Sequence, residues 1–131
     1  MYQVYLSTGS IWETYSPEMF MPATNATGQY MCQKNFVGWS GLVPISMLIE
    51  NIIGLSVNAP QNTVLWNLQQ NGRHGLKNLR FGDIKTSLIA EKQTHSNSRT
   101  VTISSNKSYN LYVNGVNFII KPGKNTFTVK H

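Results

Sequence analysis

Two short segments carry the residue types that carbohydrate chemistry uses. The first is Ile11-Trp12-Glu13-Thr14-Tyr15-Ser16-Pro17-Glu18. Glu13 stands between Trp12 and Tyr15. Aromatic faces can stack on the C–H surface of a pyranose while a carboxylate moves protons. The same residues also suit a solvated glutamate beside two core aromatics, and their types alone leave both readings open. The second segment is Asn35-Phe36-Val37-Gly38-Trp39-Ser40-Gly41. Gly38 and Gly41 permit close backbone approach. Trp39 could wall a pocket, or pack inside a Gly-rich helix start.

Other reactive side chains offer less. His74, His95 and His131 have no metal-ligand spacing, so no metal site is expected, and no phosphate-cradling glycine pattern or other cofactor motif occurs. Cys32 is the single cysteine, which excludes an internal disulfide and leaves the compartment open. Asn25-Ala26-Thr27 and Asn106-Lys107-Ser108 have the form of glycosylation sequons, a pattern common by chance.

The balance of charge narrows the function classes. The chain of 131 residues carries a net charge of +6, mainly because it has only five acids: Glu13, Glu18, Glu50, Asp83 and Glu91. The basic residues are scattered from Lys34 to Lys130 and form no stripe, so a nucleic-acid partner is not expected. Charged residues make up 12%, and Asn, Ser, Thr and Gln fill the gap. That is a common surface for periplasmic or secreted carbohydrate-active proteins. Met1–Ser10 has neither the basic start nor the apolar run of a signal peptide. The apolar stretch 36–57 is interrupted by Ser40, Pro44, Ser46, Glu50 and Asn51, which fits a buried helix better than a membrane span.

These segments need elements to position them. Met1–Leu6 reads as the last turns of a helix with no N-cap before it. Thr8–Ser10 reads as a turn, and residues 18–35 as a long loop. Gly38–Gly54 reads as a helix, with Ser40 as its cap, Pro44 in or near the first turn, and Gly54 at its end. Leu42, Ile45, Ile49, Ile52 and Ile53 form one apolar side, and Val43, Met47 and Leu48 extend it almost all round. Such a helix wants neighbours on most faces. After residue 58 the pattern changes to about seven short alternating strands, with turn signals at Gly82-Asp83 and Asn114-Gly115. Alternation puts Val101, Ile103, Leu111, Val113, Phe118, Ile120, Phe127 and Val129 on buried faces. The predicted fold class is α+β, a short helical segment followed by an antiparallel β-sandwich, with domains at 1–57 and 58–131.

Taken together, Trp12-Glu13-Thr14-Tyr15, a variable loop, and Gly38-Trp39-Ser40 opening a helix resemble the final part of the catalytic domain of (α/α)6-barrel glycoside hydrolases. The match is to the trehalase and processing α-glucosidase type, family 63-like. Residues 36–55 and Arg73-His74-Gly75-Leu76-Lys77-Asn78-Leu79-Arg80-Phe81-Gly82 also look like that family's C-terminal region. The resemblance implies that residues 1–57 are the last strip of such a barrel, and that the chain is a C-terminal fragment of an inverting enzyme acting on α-glucosidic linkages. It makes Glu13 the candidate general base and Trp12, Tyr15 and Trp39 the sugar-contacting residues. An inverting pair needs a second carboxylate about 6.5–9.5 Å away on the other face of the sugar. In the family that acid is an aspartate well upstream of the matched region. Asp83 sits in a β-turn and Glu18 on the same loop as Glu13, so neither replaces it.

The expectation is therefore a chain inactive by itself, binding an α-glucoside only if the barrel is completed, and forming a homo-oligomer through helix 38–54. The second reading is a non-catalytic β-sandwich that binds carbohydrate or protein, with Tyr112 and Trp66 as a solvent-facing platform.

Overall fold

The computed structural model describes residues 1–34, 36, 38–93 and 98–130, and leaves the side chain of Ser40 undescribed. The expected cap at Ser40 and the histidines His95 and His131 lie outside what is described. The chain forms two compact units, Met1–Met47 and Leu48–His131.

In the first unit, α1 spans Tyr2–Thr8 and closes on Gly9, whose φ of 69° allows its N–H to reach the Tyr5 carbonyl. Residues 14–31 form an irregular hairpin rather than a featureless loop. Bridges link Tyr15 to Pro22 and Thr24 to Tyr30. The Asn25 side-chain oxygen turns its tip by accepting from the backbone N–H groups of Thr27 at 3.0 Å and Gln29 at 2.9 Å. Then α2, Gly38–Met47, begins. Pro44, expected in or near the first turn, lies inside the helix past that turn, and there it removes one intrahelical hydrogen bond.

The second unit opens with a π-helical segment, Leu48–Ile53, that continues the helix expected to reach Gly54. Eight strands follow: β1 Leu55–Asn58, β2 Thr63–Trp66, β3 His74–Phe81, β4 Ile84–Ala90, β5 Ser98–Ser105, β6 Tyr109–Val113, β7 Val116–Ile120 and β8 Gly123–Lys130. They make two four-stranded sheets, ordered β1-β2-β6-β7 and β3-β4-β5-β8. Every pairing is antiparallel except β2 with β6, which is parallel because the chain builds most of the second sheet before returning to the first. The fold is thus α+β with a β-sandwich. β1 begins before the residue-58 boundary read from the sequence. The turn at Asn114-Gly115 has φ of 48° and 83°, the left-handed pair a tight hairpin requires.

One apolar cluster fills the space between the sheets. Leu55, Val64, Trp66, Leu111, Val113 and Ile120 come from the first sheet, and Phe81, Ile84, Leu88, Ala90, Val101, Ile103 and Val129 from the second. Phe118 and Phe127 are only partly buried. They stack at 4.0 Å between ring centroids and join β7 of one sheet to β8 of the other. Ile49 and Ile53 of the π-helical segment also pack on this core, so the end of the expected helix folds back onto its own sandwich. Among the described residues no helix is long and apolar enough to cross a membrane.

Tyr109 is a buried polar group of the core. Its hydroxyl meets that of Thr86 at 3.1 Å, and its ring meets Phe81 edge-on. Burial disfavours the phenolate and pushes its pKa up to about 12, against a smaller downward effect of Thr86. A raised folded pKa means that the folded state holds the proton longer. Stability from this group is therefore complete below the unfolded value near 10 and is lost as pH rises toward 12. The loss is of order 2–3 kcal/mol by the unit-shift conversion. Denaturant unfolding across this pH range should show the decline, and Tyr109→Phe should flatten it. Equal slopes in the two proteins would contradict the buried-phenol account.

Candidate functional site

All of the candidate catalytic and sugar-contacting residues fall in the first unit. Trp12 is a core residue there, with only 2% of its surface exposed. A buried indole N–H needs an acceptor. Thr8 Oγ1 supplies one at 3.0 Å, placed by the last turn of α1, where the same hydroxyl donates to the Val4 carbonyl at 2.7 Å. Tyr30 packs on Trp12 with ring centroids 4.9 Å apart. The structure therefore corrects the expectation of Trp12 as an open stacking face. Its indole borders, with Ser7, Thr8, Tyr30 and Lys34, an open depression of about 490 Å³.

Tyr15 is half-buried, and its hydroxyl accepts a hydrogen bond from the Trp12 backbone N–H at 3.0 Å. It works as a brace for the Trp12-Glu13 backbone, with part of its ring facing a second depression shared with Glu18. Thr14, between Glu13 and Tyr15, contacts the Cys32 thiol at 3.2 Å, which fastens the carboxylate-bearing segment to the chain just past the hairpin.

Glu13 is half-buried and lies directly over Gly38, the first residue of α2. A methyl group built on Gly38 would sit 2.6 Å from Glu13 Oε1 and 2.9 Å from its Cγ. Gly38 also has a φ of 47°, a conformation that a side chain at this position would disfavour. The glycine thus serves twice: it turns the chain into the helix and leaves room for the carboxylate. A helix N-terminus exposes backbone N–H groups and the positive end of its dipole, a setting that favours a carboxylate. The two segments singled out in the sequence are brought together at this point.

Trp39, next in the helix, is 83% exposed. An indole so open to solvent contributes little to this unit's packing, and its face is available to a ligand. Glu18 is exposed and lines the depression beside Tyr15, Ser16 and Phe20. The sequence gives no sign of a role for Tyr30. It reaches Trp12 only through the hairpin closed at Asn25, and no local pattern in the sequence pairs the two. Among the described residues, no group of three or more His, Cys, Asp or Glu side chains is arranged to hold a metal.

In the second unit, Trp66 is fully buried and its indole N–H donates to the Ile53 carbonyl at 2.9 Å. It is not the solvent-facing platform residue expected of it; the inward register of β2 places it in the core. Tyr112 is half-buried, on the outer face of the first sheet beside Leu65 and Asn117.

Comparison with known proteins gives one similarity to report. The chain is 31% identical, over 110 residues, to an uncharacterized protein of Borreliella burgdorferi, an alignment that takes in 83% of this chain and 23% of that protein. The chain thus spans about a quarter of the length of the relative it matches. No family model matches the chain, and no solved structure matches it.

Proposed function

We propose that the chain is part of an inverting glycoside hydrolase acting on α-glucosidic linkages, and that it contributes Glu13 as general base and Trp39 as a sugar-contacting face. The observation that carries this reading is the seating of the Glu13 carboxylate over Gly38 at the start of α2, one residue from the most exposed tryptophan of the chain. A base of this kind deprotonates the attacking water while an acid on the opposite face protonates the leaving oxygen. In the family that acid is an aspartate upstream of the matched region, and no residue of this sequence stands in its position, so the isolated chain is expected to be inactive. The threefold greater length of the relative outside the matched region is in keeping with a larger parent, as its coverage of 23% implies.

A chimera tests this directly. Residues 1–57 should replace the corresponding strip of an active family 63-like α-glucosidase with hydrolysis of an aryl α-glucoside retained. Glu13→Gln in that chimera should lower kcat by about 10²–10⁴-fold, the usual contribution of a general base. A folded chimera whose turnover is indifferent to Glu13→Gln would sink the assignment.

One observation favours a second reading, a carbohydrate-binding sandwich. On the outer face of the first sheet, Ser56, Leu65, Tyr112 and Asn117 form one cross-strand row and Asn58, Thr63, Asn110 and Ile119 another. None of these eight side chains is charged. Amide groups around a tyrosine suit a neutral sugar. Binding in a glycan screen that is lost in Tyr112→Ala would favour this reading, and an empty screen would remove it.

The same proposal includes self-association through α2, the first part of the helix expected over 38–54. Leu42, Val43, Ile45 and Met47 of α2 are exposed, whereas Ile49 and Ile53 are already used by the sandwich core. Leaving such side chains in water costs about 1.5–3 kcal/mol each relative to burial. The expected occupant of this face in the isolated chain is the same helix of a second copy. Light scattering should give a dimer mass or greater at micromolar concentration, reduced to a monomer by Leu42→Lys. A monomer mass for the unaltered chain would defeat the idea.

A further inference from the structure

The period-two register of β5 turns Arg99 to the same side as Val101 and Ile103, into the space between the sheets. Its exposure is 2%. Two of its guanidinium nitrogens, Nε and Nη2, are sealed from solvent and have no hydrogen-bond partner. The third, Nη1, lies 3.4 Å from His74 Nδ1. That nitrogen is also 2.9 Å from the Gly72 carbonyl oxygen.

These two contacts of His74 conflict. A carbonyl only accepts and a guanidinium only donates, so Nδ1 can serve one of them but not both. The shorter contact makes Nδ1 the donor to Gly72, and Arg99 Nη1 then faces an N–H. Every nitrogen of the guanidinium is left without an acceptor among the described residues. His74 Nε2 is also buried and unpartnered. Trp66 closes one side of the imidazole, edge-on at 5.9 Å.

Arginine keeps its charge at any ordinary pH, and burying a guanidinium without a counter-charge is strongly unfavourable. Burial pushes Arg99 down from its ordinary pKa, the direction for a cation lacking an anion. Among the described residues, neither ion pair of the second unit involves it. Asp83 pairs with Lys107 at 3.2 Å, Glu91 pairs with Arg73 at 3.0 Å, and Glu50 is exposed in the π-helical segment. A planar oxyanion would answer the whole set. Its two oxygens would accept from the guanidinium fork, and one could take a further bond from a protonated His74 Nε2.

We propose that Arg99 and His74 form a binding site for a single carboxylate. The site belongs to the sandwich and is independent of Glu13 and of the proposed glycosidase reading. The carboxylate comes either from a glutamate or aspartate side chain of a partner polypeptide or from a small free carboxylate. Arg99→Lys would not substitute, because an ammonium lacks the planar fork.

Nuclear magnetic resonance of the ¹⁵N-labelled full chain tests the site through the Arg99 Nε–H signal, assigned by its absence in Arg99→Met. Sodium acetate is titrated against sodium chloride at matched ionic strength. A saturable shift of the Nε–H signal with acetate alone, together with a rise in Tm that Arg99→Met abolishes, is the expected result. A parallel titration with the capped tripeptide acetyl-Gly-Glu-Gly-amide distinguishes the sources. Saturation at lower concentration than acetate points to a polypeptide carboxylate, and saturation at equal or higher concentration to a free one. Should Arg99→Met not fold, the signal is assigned from the other arginines by Arg73→Lys and Arg80→Lys, and the titration of the unaltered chain decides. An Nε–H signal that responds alike to acetate and chloride overturns the proposal. So does one that is unmoved by acetate but shifts in Glu91→Gln, because the counter-ion would then be the chain's own.

Discussion

The second unit depends on how Trp66 is buried. Its ring sits in the core between the sheets, where an unpaired indole N–H would carry a desolvation penalty of about 1–3 kcal/mol. The Ile53 carbonyl, one of the unpaired acceptors that end any helix, takes that hydrogen at 2.9 Å. One bond therefore satisfies a core donor and a helix-end acceptor together. It also holds the π-helical segment against β2. Gly54 makes the approach possible: a side chain there would collide with the Asn67 carbonyl, and its φ of 84° turns the chain at once into β1. The return bond from the Asn67 N–H to the Gly54 carbonyl, at 2.9 Å, locks the junction.

That junction explains the division of the long apolar stretch. Its later part is drawn onto the sandwich by Trp66 and Gly54, so Ile49 and Ile53 find cover. Its earlier part, the α2 helix of the first unit, keeps Trp39, Leu42 and Val43 in solvent. A helix apolar on nearly every face can be satisfied on one face by its own chain and still present the others to a partner.

The two charged features of interest show opposite treatments of a half-buried or buried ion. Glu13 is set against the start of a helix, where the backbone offers donors and a favourable dipole, and a glycine clears the space it needs. Arg99 is carried inward by strand alternation, with no carboxylate of the chain to meet it among the described residues. The first arrangement gives a half-buried charge a favourable local field. The second is a standing electrostatic deficit, of the kind that a bound anion removes.

Period-two alternation makes most of the sandwich legible in the sequence. Val101, Ile103, Leu111, Val113, Ile120 and Val129 are buried as their spacing requires, and Asn114-Gly115 turns where only left-handed residues can. The same alternation turns Arg99 inward, although arginine is seldom buried. The Glu13 and Gly38 segments were legible as two motifs, though not as neighbours. What alternation could not decide was which strands meet. The parallel pairing of β2 with β6, the inward turn of Trp66, the burial of Trp12 under Tyr30 and the mid-helix position of Pro44 all depend on contacts between residues distant in the chain or on where an element starts. Local residue types set the period and the turns, because those follow from backbone sterics. Partners across the core, and therefore which aromatic faces remain free for a ligand, are chosen only when the whole chain competes for the same buried space.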